Sequence, residues 1–363
     1  MEWVQILSFS SSKPIRPDAL PPPPAAELKK TLHVQNLTID WLAGDGSDRC
    51  YYRLSSPEFD DQSLVLMQLS GTDAEALKAK GYDWVTIAEL LNDQKITIPK
   101  LVATMPDFAA LVIEDYGNVT FETQVLKNHT EQHQGRVDKL YQDAVNLIGQ
   151  MLKIPKSNSV WCQRAFDAAR LEWELKFFVA NFSEPIARWN FTPSESQEFA
   201  HDVQQLAEFL AGRADYFVHR DYHSRNLMCK NGIIAVIDFQ DARLGPSSYD
   251  LVSLIFDSYV PFDEHTRVKM LEASIAQLGS SLGVKVADDI KSSWRPMLLQ
   301  RQLKALGSFG YLTLKKNRGN YLRYVEPALA TLSQDLVFDK RWPFLSGTLL
   351  KRLGKEFQNG QHP

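Results

Sequence analysis

The sequence predicts an α+β chain, a small antiparallel β-rich lobe followed by a larger helical lobe that carries one hairpin. Three observations carry that prediction. Apolar runs at Cys50–Leu54 and Leu64–Leu69 flank a polar turn at 55–63, the spacing of an antiparallel meander. Beyond residue 120, apolar residues recur every three or four positions, as in Val137, Leu140, Tyr141, Ala144, Leu147, Ile148 and Met151. Into that helical stretch falls one short β-insert, Leu227–Cys229 and Ile233–Phe239, around Lys230-Asn231-Gly232.

Residues 1–28 hold six of the 18 prolines and read as an extended proline-rich arm. Residues 29–116 form the β-rich lobe. Within it, Ala76, Leu77, Trp84, Ile87, Ala88 and Leu91 predict a helix over 73–93. Leu101–Thr104 and Leu111–Glu114 predict two further short strands, closed by Gly117-Asn118. Residues 117–345 form the helical lobe, and 346–363 a C-terminal tail. Thr192-Pro193-Ser194-Glu195 is a helix start, with Thr as N-cap, Pro at the first position and Glu at the third.

The 363 residues carry 40 Lys plus Arg against 44 Asp plus Glu, a net charge of −4. That balance offers no footprint for nucleic acid or an anionic membrane. No apolar run reaches the ~18 residues of a membrane span. The N-terminus, with Glu2 and no basic region, reads poorly as a signal peptide. Cys50, Cys162 and Cys229 are few and far apart, which fits a reducing compartment. The expectation is a soluble, cytoplasmic protein without nucleic-acid or membrane partners.

The most informative stretch is 217–257. It contains Asp221, Asn226, Asp238 and Asp250. A three-residue loop at 230–232 would pair Cys229 with Ile233 and set Asn226 opposite Val236. Asp238 would then lie one diagonal step away on the same face. Two hard oxygens there, leaving room for water and phosphate, are what Mg²⁺ takes. Asp221, five residues before Asn226, can reach the same space as a carboxylate base. Such a set suits phosphoryl transfer to a hydroxyl.

His219-Arg220-Asp221-Tyr222-His223-Ser224-Arg225-Asn226, followed by Ile237-Asp238-Phe239, resembles the catalytic and metal-binding motifs of the aminoglycoside phosphotransferase and choline kinase family. The resemblance covers about residues 33–340. It implies a protein-kinase-like bilobal fold with ATP and Mg²⁺ bound between the lobes. It also implies Asp221 as base, Asn226 and Asp238 as metal ligands, His219 as a structural residue and Asp250 as a brace for the catalytic loop. A metal pair of His219 and His223 is disfavoured by the loop setting. Residues 236–259, 299–312 and 44–53 are further similar to bacterial anomeric amino-sugar kinases, implying an N-acetylmuramate or N-acetylglucosamine acceptor phosphorylated by ATP at its 1-hydroxyl. Alternatives are an aminoglycoside, choline or homoserine-type kinase, or a non-catalytic nucleotide-binding scaffold.

Gly44, Gly46 and Ser47 form a candidate phosphate cover, since glycine lets backbone amides approach phosphate oxygens. Glu114 and Tyr116 lie in the connector that holds adenine in this family. Kinases of this fold carry a Lys on strand three that pairs with a helix Glu; here Leu64-Val65-Leu66-Met67-Gln68 has none. Without that Lys no helix Glu partner is assigned; Glu75 and Glu89 are candidates. Gln240 and Asp241 should face the acceptor, although Asp241 could equally cap the next turn. Residues 291–325 hold eight basic residues and no acid. A basic acceptor wall suits an anionic sugar rather than a polycationic drug. Arg301, within an apolar helical stretch, is the candidate inward cation.

Overall fold

The computed structural model describes residues 20–44, 49–60 and 62–358. These fall into two compact units. The first comprises the chain up to Lys127 together with Arg225–Asp241; the second comprises Asn128–Ser224 and the chain from Ala242 onward.

The first unit is built on a five-stranded antiparallel sheet. Its strands are β1 (Thr38–Gly44), β2 (Cys50–Ser55), β3 (Ser63–Gln68), β4 (Leu101–Met105) and β5 (Ala110–Glu114), in the order β1-β2-β3-β5-β4. Alternation in β2 sends Cys50, Tyr52 and Leu54 to one face. The register Tyr52↔Leu66 and Leu66↔Val112 continues that face across the sheet. Helix α1 (Ala25–Leu32) closes it with Leu28, which is fully buried in this cluster. The arm expected over 1–28 therefore ends in a packed helix, because the chain beyond Pro24 has an apolar residue to bury; residues 1–19 lie outside the described residues. On the opposite face the register sets Tyr51 beside Met67 and Met67 beside Leu111.

The helix expected over 73–93 is two helices, α2 (Gly71–Lys78) and α3 (Asp83–Asp93). Lys80 takes a left-handed φ of 58° just before Gly81, which breaks the helical path. Trp84, Ile87, Ala88 and Leu91 form the buried stripe of α3.

The second unit is mainly helical. After α4 (Phe121–Thr130), which spans the boundary, come α5 (Gln134–Met151), α6 (Ala168–Phe178), α7 (Pro193–Ala211), α8 (Tyr249–Ile255), α9 (Glu264–Leu282) and α10 (Val284–Leu314). The expected capping box of α7 is present, with reciprocal bonds between Thr192 and Glu195. A small sheet pairs β6 (Tyr216–Val218) with β9 (Arg243–Gly245), two strands too short to be visible in the pattern. The expected tail at 346–363 begins inside packed structure, since Leu349 and Leu353 are fully buried.

The hairpin β7 (Leu227–Lys230) and β8 (Ile233–Val236) belongs to the first unit. Its register differs from the expected one. Asn231 and Gly232 both have positive φ, 52° and 79°, the two-residue turn that matches strand twist. Cys229 therefore pairs with Ile234 and Leu227 with Val236. Asn226 stands opposite Ile237, whose N–H it accepts at 3.0 Å, and not opposite Val236. Asp238 leaves the strand with a left-handed φ of 64°, so the pleat no longer sets its direction. Asn226 and Asp238 are therefore not the diagonal pair that a three-residue loop would make.

Candidate active site

In the second unit, β6 delivers the chain into the loop that carries Asp221. Arg220 adopts φ 83°, unusual for a residue with a Cβ. Asp250, at the start of α8 and almost fully buried, holds that kink in place. Its carboxylate accepts the backbone N–H of His219 at 2.6 Å and of Arg220 at 3.1 Å. Burial pushes the Asp250 carboxyl up to about 6, against His219 and the two N–H groups that favour its charge. His219 is fully buried, edge-on to Tyr222 at 5.7 Å. His223 lies instead against Tyr259 at 5.4 Å, and Asp257 accepts the N–H groups of Ser224 and Tyr259, each at 2.8 Å.

Asp221 opens onto a cavity of about 190 Å³ lined also by His223, Tyr259, Arg301, Lys304 and Ser308. Its carboxylate is flanked by Lys304 Nζ at 3.3 Å, Arg301 Nη1 at 3.7 Å and Arg220 Nε at 3.8 Å. Burial alone would raise the Asp221 carboxyl. Lys304, Arg220, Arg301 and His223 outweigh it and hold the group well below the usual carboxylate range. Burial lowers Lys304 to about 8, against the pull of Asp221 and Glu174. Arg301 stacks over the Tyr249 ring at 5.0 Å and donates to its hydroxyl at 3.2 Å.

The expected basic wall is thus narrower than the charge count implies. Lys291 pairs with Asp288 in solvent, Arg295 donates to Leu336 O and lies over Trp294, and Lys315 and Lys316 are exposed. Of the eight, Arg301 and Lys304 line the cavity. Sequence reasoning does not single out Lys304, although its i,i+3 spacing from Arg301 puts both on one face of α10.

In the first unit, Asn226 precedes β7 and Asp238 follows β8. Gln240, expected to face an acceptor, donates from Nε2 to Asp238 Oδ1 at 2.7 Å. Asp241 lies in the adjoining turn, half-buried. Among the described residues no group of three His, Cys, Asp or Glu side chains is placed to hold a metal ion. Asn226 and Asp238 each offer a hard oxygen of the kind Mg²⁺ takes, and Mg²⁺ keeps few protein ligands and completes its shell with water and phosphate oxygens.

Asp115, within the connector, escapes sequence reasoning. It accepts from Arg53 Nε at 2.6 Å, Ser63 Oγ at 2.6 Å and the Gly117 N–H at 2.7 Å. Burial would raise this carboxyl, and those bonds lower it instead. Its carbonyl accepts from Lys230 Nζ at 2.8 Å, and the same ammonium stands 5.8 Å from the Tyr116 ring centre. Glu114 ends β5, opposite Leu64. Gly44 ends β1 opposite Cys50; Gly46 and Ser47 lie outside the described residues. Glu75 and Glu89 are exposed. The acid of α2 that meets a cation is Asp73, 2.9 Å from Arg49.

Known proteins resemble this chain over most of its length. It is 27% identical over 290 residues to the N-acetylmuramate/N-acetylglucosamine kinase of Neisseria meningitidis serogroup B, covering 79% of this chain and 82% of the relative. The protein of that name from Pseudomonas aeruginosa is 28% identical over 308 residues, with the same two coverages. The ADP-bound aminoglycoside phosphotransferase APH(2'')-Ib superposes with a TM-score of 0.55 at 16% identity, covering 84% of this chain and 96% of that one. At that identity it shows the fold, which is protein-kinase-like. Residues 42–281 match the Phosphotransferase enzyme family, and with well over half of its length inside that match, the chain belongs to this family.

Proposed function

We propose that the protein transfers the γ-phosphoryl group of ATP to the anomeric hydroxyl of N-acetylmuramate or N-acetylglucosamine. One observation carries the reading: Asp221 on the wall of a cavity, its carboxylate flanked by Arg301 and Lys304. The relatives' names supply the acceptor class, and the family supplies the reaction type.

The acceptor enters the cavity of the second unit with its hydroxyl toward Asp221. The carboxylate orients that hydroxyl and takes its proton as the oxygen bonds to phosphorus and the bond to ADP breaks. Lys304 and Arg301 keep Asp221 ionised and present positive charge to an acceptor carboxylate. Asn226 and Asp238 would hold Mg²⁺, which when bound neutralises phosphate charge. Asp250 acts on this set only by fixing the loop. The three cysteines are free thiols, which suits the reducing cytoplasm. No helix among the described residues is long and apolar enough to cross a membrane.

The test is ATP consumption across amino sugars, aminoglycosides, choline and homoserine, with the product assigned by phosphorus NMR. A 1-phosphate of an amino sugar is the expected product. Turnover confined to choline or an aminoglycoside would overturn the acceptor assignment. ATP binding without turnover on any acceptor would overturn the enzyme assignment.

A further inference from the structure

The first unit lacks the strand-three lysine yet holds a largely buried cation beside Asp238. Arg49 directly precedes β2, and its side chain is only 11% exposed. Its Nε and Nη2 both stand 2.9 Å from Asp73 Oδ2, on the first turn of α2. Its Nη1 faces Asp238 Oδ1 at 3.7 Å. Tyr82, at the start of α3, stands 3.5 Å from Asp73 through its hydroxyl. The Asp73 carboxylate compensates the burial of the Arg49 guanidinium, which stays charged as arginine does in proteins.

The position is informative. In β2, Tyr51 and Arg53 share the sheet face of Met67, because Tyr51 pairs directly with Met67. Met67, buried at 2% exposure, occupies the strand where a lysine would project. Arg49, just before β2 and two residues ahead of Tyr51, reaches Asp238 instead. A carboxylate on an early helix of the unit holds it, as a helix glutamate holds the usual lysine. A buried guanidinium costs desolvation and needs a reason to be retained. Neutralising Asp73 alone would not require another of its nitrogens to face Asp238. Arginine also presents a planar fork that suits phosphate oxygens.

We propose that Arg49 is a catalytic residue that binds the nucleotide's phosphates in place of the absent lysine, with Asp73 as its positioning residue. The proposal rests on the kinase reading above. Any phosphate oxygen bound next to Asp238 lies within reach of Arg49 Nη1. The Asp73 contact through Nε and Nη2 leaves that nitrogen directed away from the helix.

The experiment measures ATP and adenosine affinity by calorimetry for the full-length wild type, Arg49→Gln, Arg49→Lys and Asp73→Asn, with thermal unfolding of each. One charge-assisted contact is worth about 1.5–3 kcal/mol, so Arg49→Gln should weaken ATP roughly 10- to 100-fold while adenosine changes less than about 2-fold. Arg49→Lys should recover part of the loss. Asp73→Asn should weaken ATP less than Arg49→Gln and also spare adenosine. If Arg49→Gln does not fold, Arg49→Lys and Asp73→Asn carry the same comparison. ATP affinity unchanged in the folded variants, or equal losses for ATP and adenosine, would overturn the assignment. A wild type that phosphorylates an amino sugar while Arg49→Gln binds ATP normally would remove Arg49 and leave the kinase reading intact. A wild type that binds no ATP would remove both.

Discussion

At the scale of single residues, Asp221 and Lys304 make opposite demands on pH. As the proposed base, Asp221 needs its charge to accept a proton, and three cations stand within 4 Å of it. Asp221→Asn keeps the shape and removes the proton acceptor, so kcat should fall by about 10²–10⁴ while ATP affinity persists. Steady-state kinetics and calorimetry on one preparation check this, and turnover near wild type would remove Asp221 as base. The folded pKa of Asp221 is depressed, so its charge adds stability above the unfolded value near 3.8, and acid removes that contribution. Lys304 is also depressed, from 10.5 to about 8. Between those values the unfolded chain binds more protons, so stability at this site rises with pH. Acceptor binding should run the other way. An N-acetylmuramate carboxylate loses its cation as Lys304 deprotonates, so KM for that sugar should climb above about pH 8, whereas KM for uncharged N-acetylglucosamine should not. Lys304→Arg should flatten the climb, and parallel pH profiles for both sugars would contradict the role.

At the scale of elements, the clearest constraint is where α10 crosses α6 and the turn after it. A Cβ on Gly310 would sit 1.9 Å from Asn181 O, and one on Gly307 would sit 2.8 Å from Phe178 Cα. Those are backbone atoms, and they cannot swing aside. Gly310→Ala should therefore cost at least about 1–3 kcal/mol, the usual range for overpacking. Gly354, in the C-terminal helix Leu350–Gln358, would have nothing within 4 Å of an added Cβ. Gly354→Ala should be neutral or stabilise by up to about 1 kcal/mol. Urea midpoints of the two variants decide it, and equal midpoints would refute the packing account. Both glycines look alike in the sequence, because helical periodicity shows which face is apolar and not how near a neighbouring backbone comes. The same limit explains the hairpin. Its existence follows from Asn231-Gly232 between apolar runs, but assigning Lys230 to the loop or the strand shifts every pair by one. Strands β2 to β5 are legible because short apolar runs are bounded there by turn residues. Asp221, Asn226 and Asp238 are legible as a spaced motif. Arg49 is not, since its partner Asp73 lies 24 residues away on a helix whose boundaries depend on a left-handed Lys80.

At the scale of the whole molecule, the chain does not divide into two consecutive pieces. It leaves the first unit after Lys127, returns at Arg225 and leaves again after Asp241. The returning segment completes the first unit through several kinds of contact. Val236 N–H donates to Thr97 O at 2.9 Å, and Cys229 N–H donates to Val119 O at 2.8 Å. Arg225 pairs with Glu122 at 2.7 Å, and the Phe239 ring packs on Trp84 at 5.1 Å. Without the hairpin, Trp84 loses the Phe239 ring that covers it and the unit loses the buried side chains of Leu227 and Val236, each large apolar side chain being worth about 1.5–3 kcal/mol. Against a total stability of about 5–15 kcal/mol for a domain, those losses are decisive. Residues 20–127 expressed alone should therefore show no cooperative urea transition by circular dichroism. The same fragment followed by a glycine-serine linker and residues 225–241 should recover one. The pair that tests the idea most sharply is this linked fragment and its Phe239→Ala variant, in which the aromatic contact is removed and the midpoint should fall. Cooperative unfolding of residues 20–127 without the hairpin, at the midpoint of the linked form, would show that the first unit does not depend on its second segment.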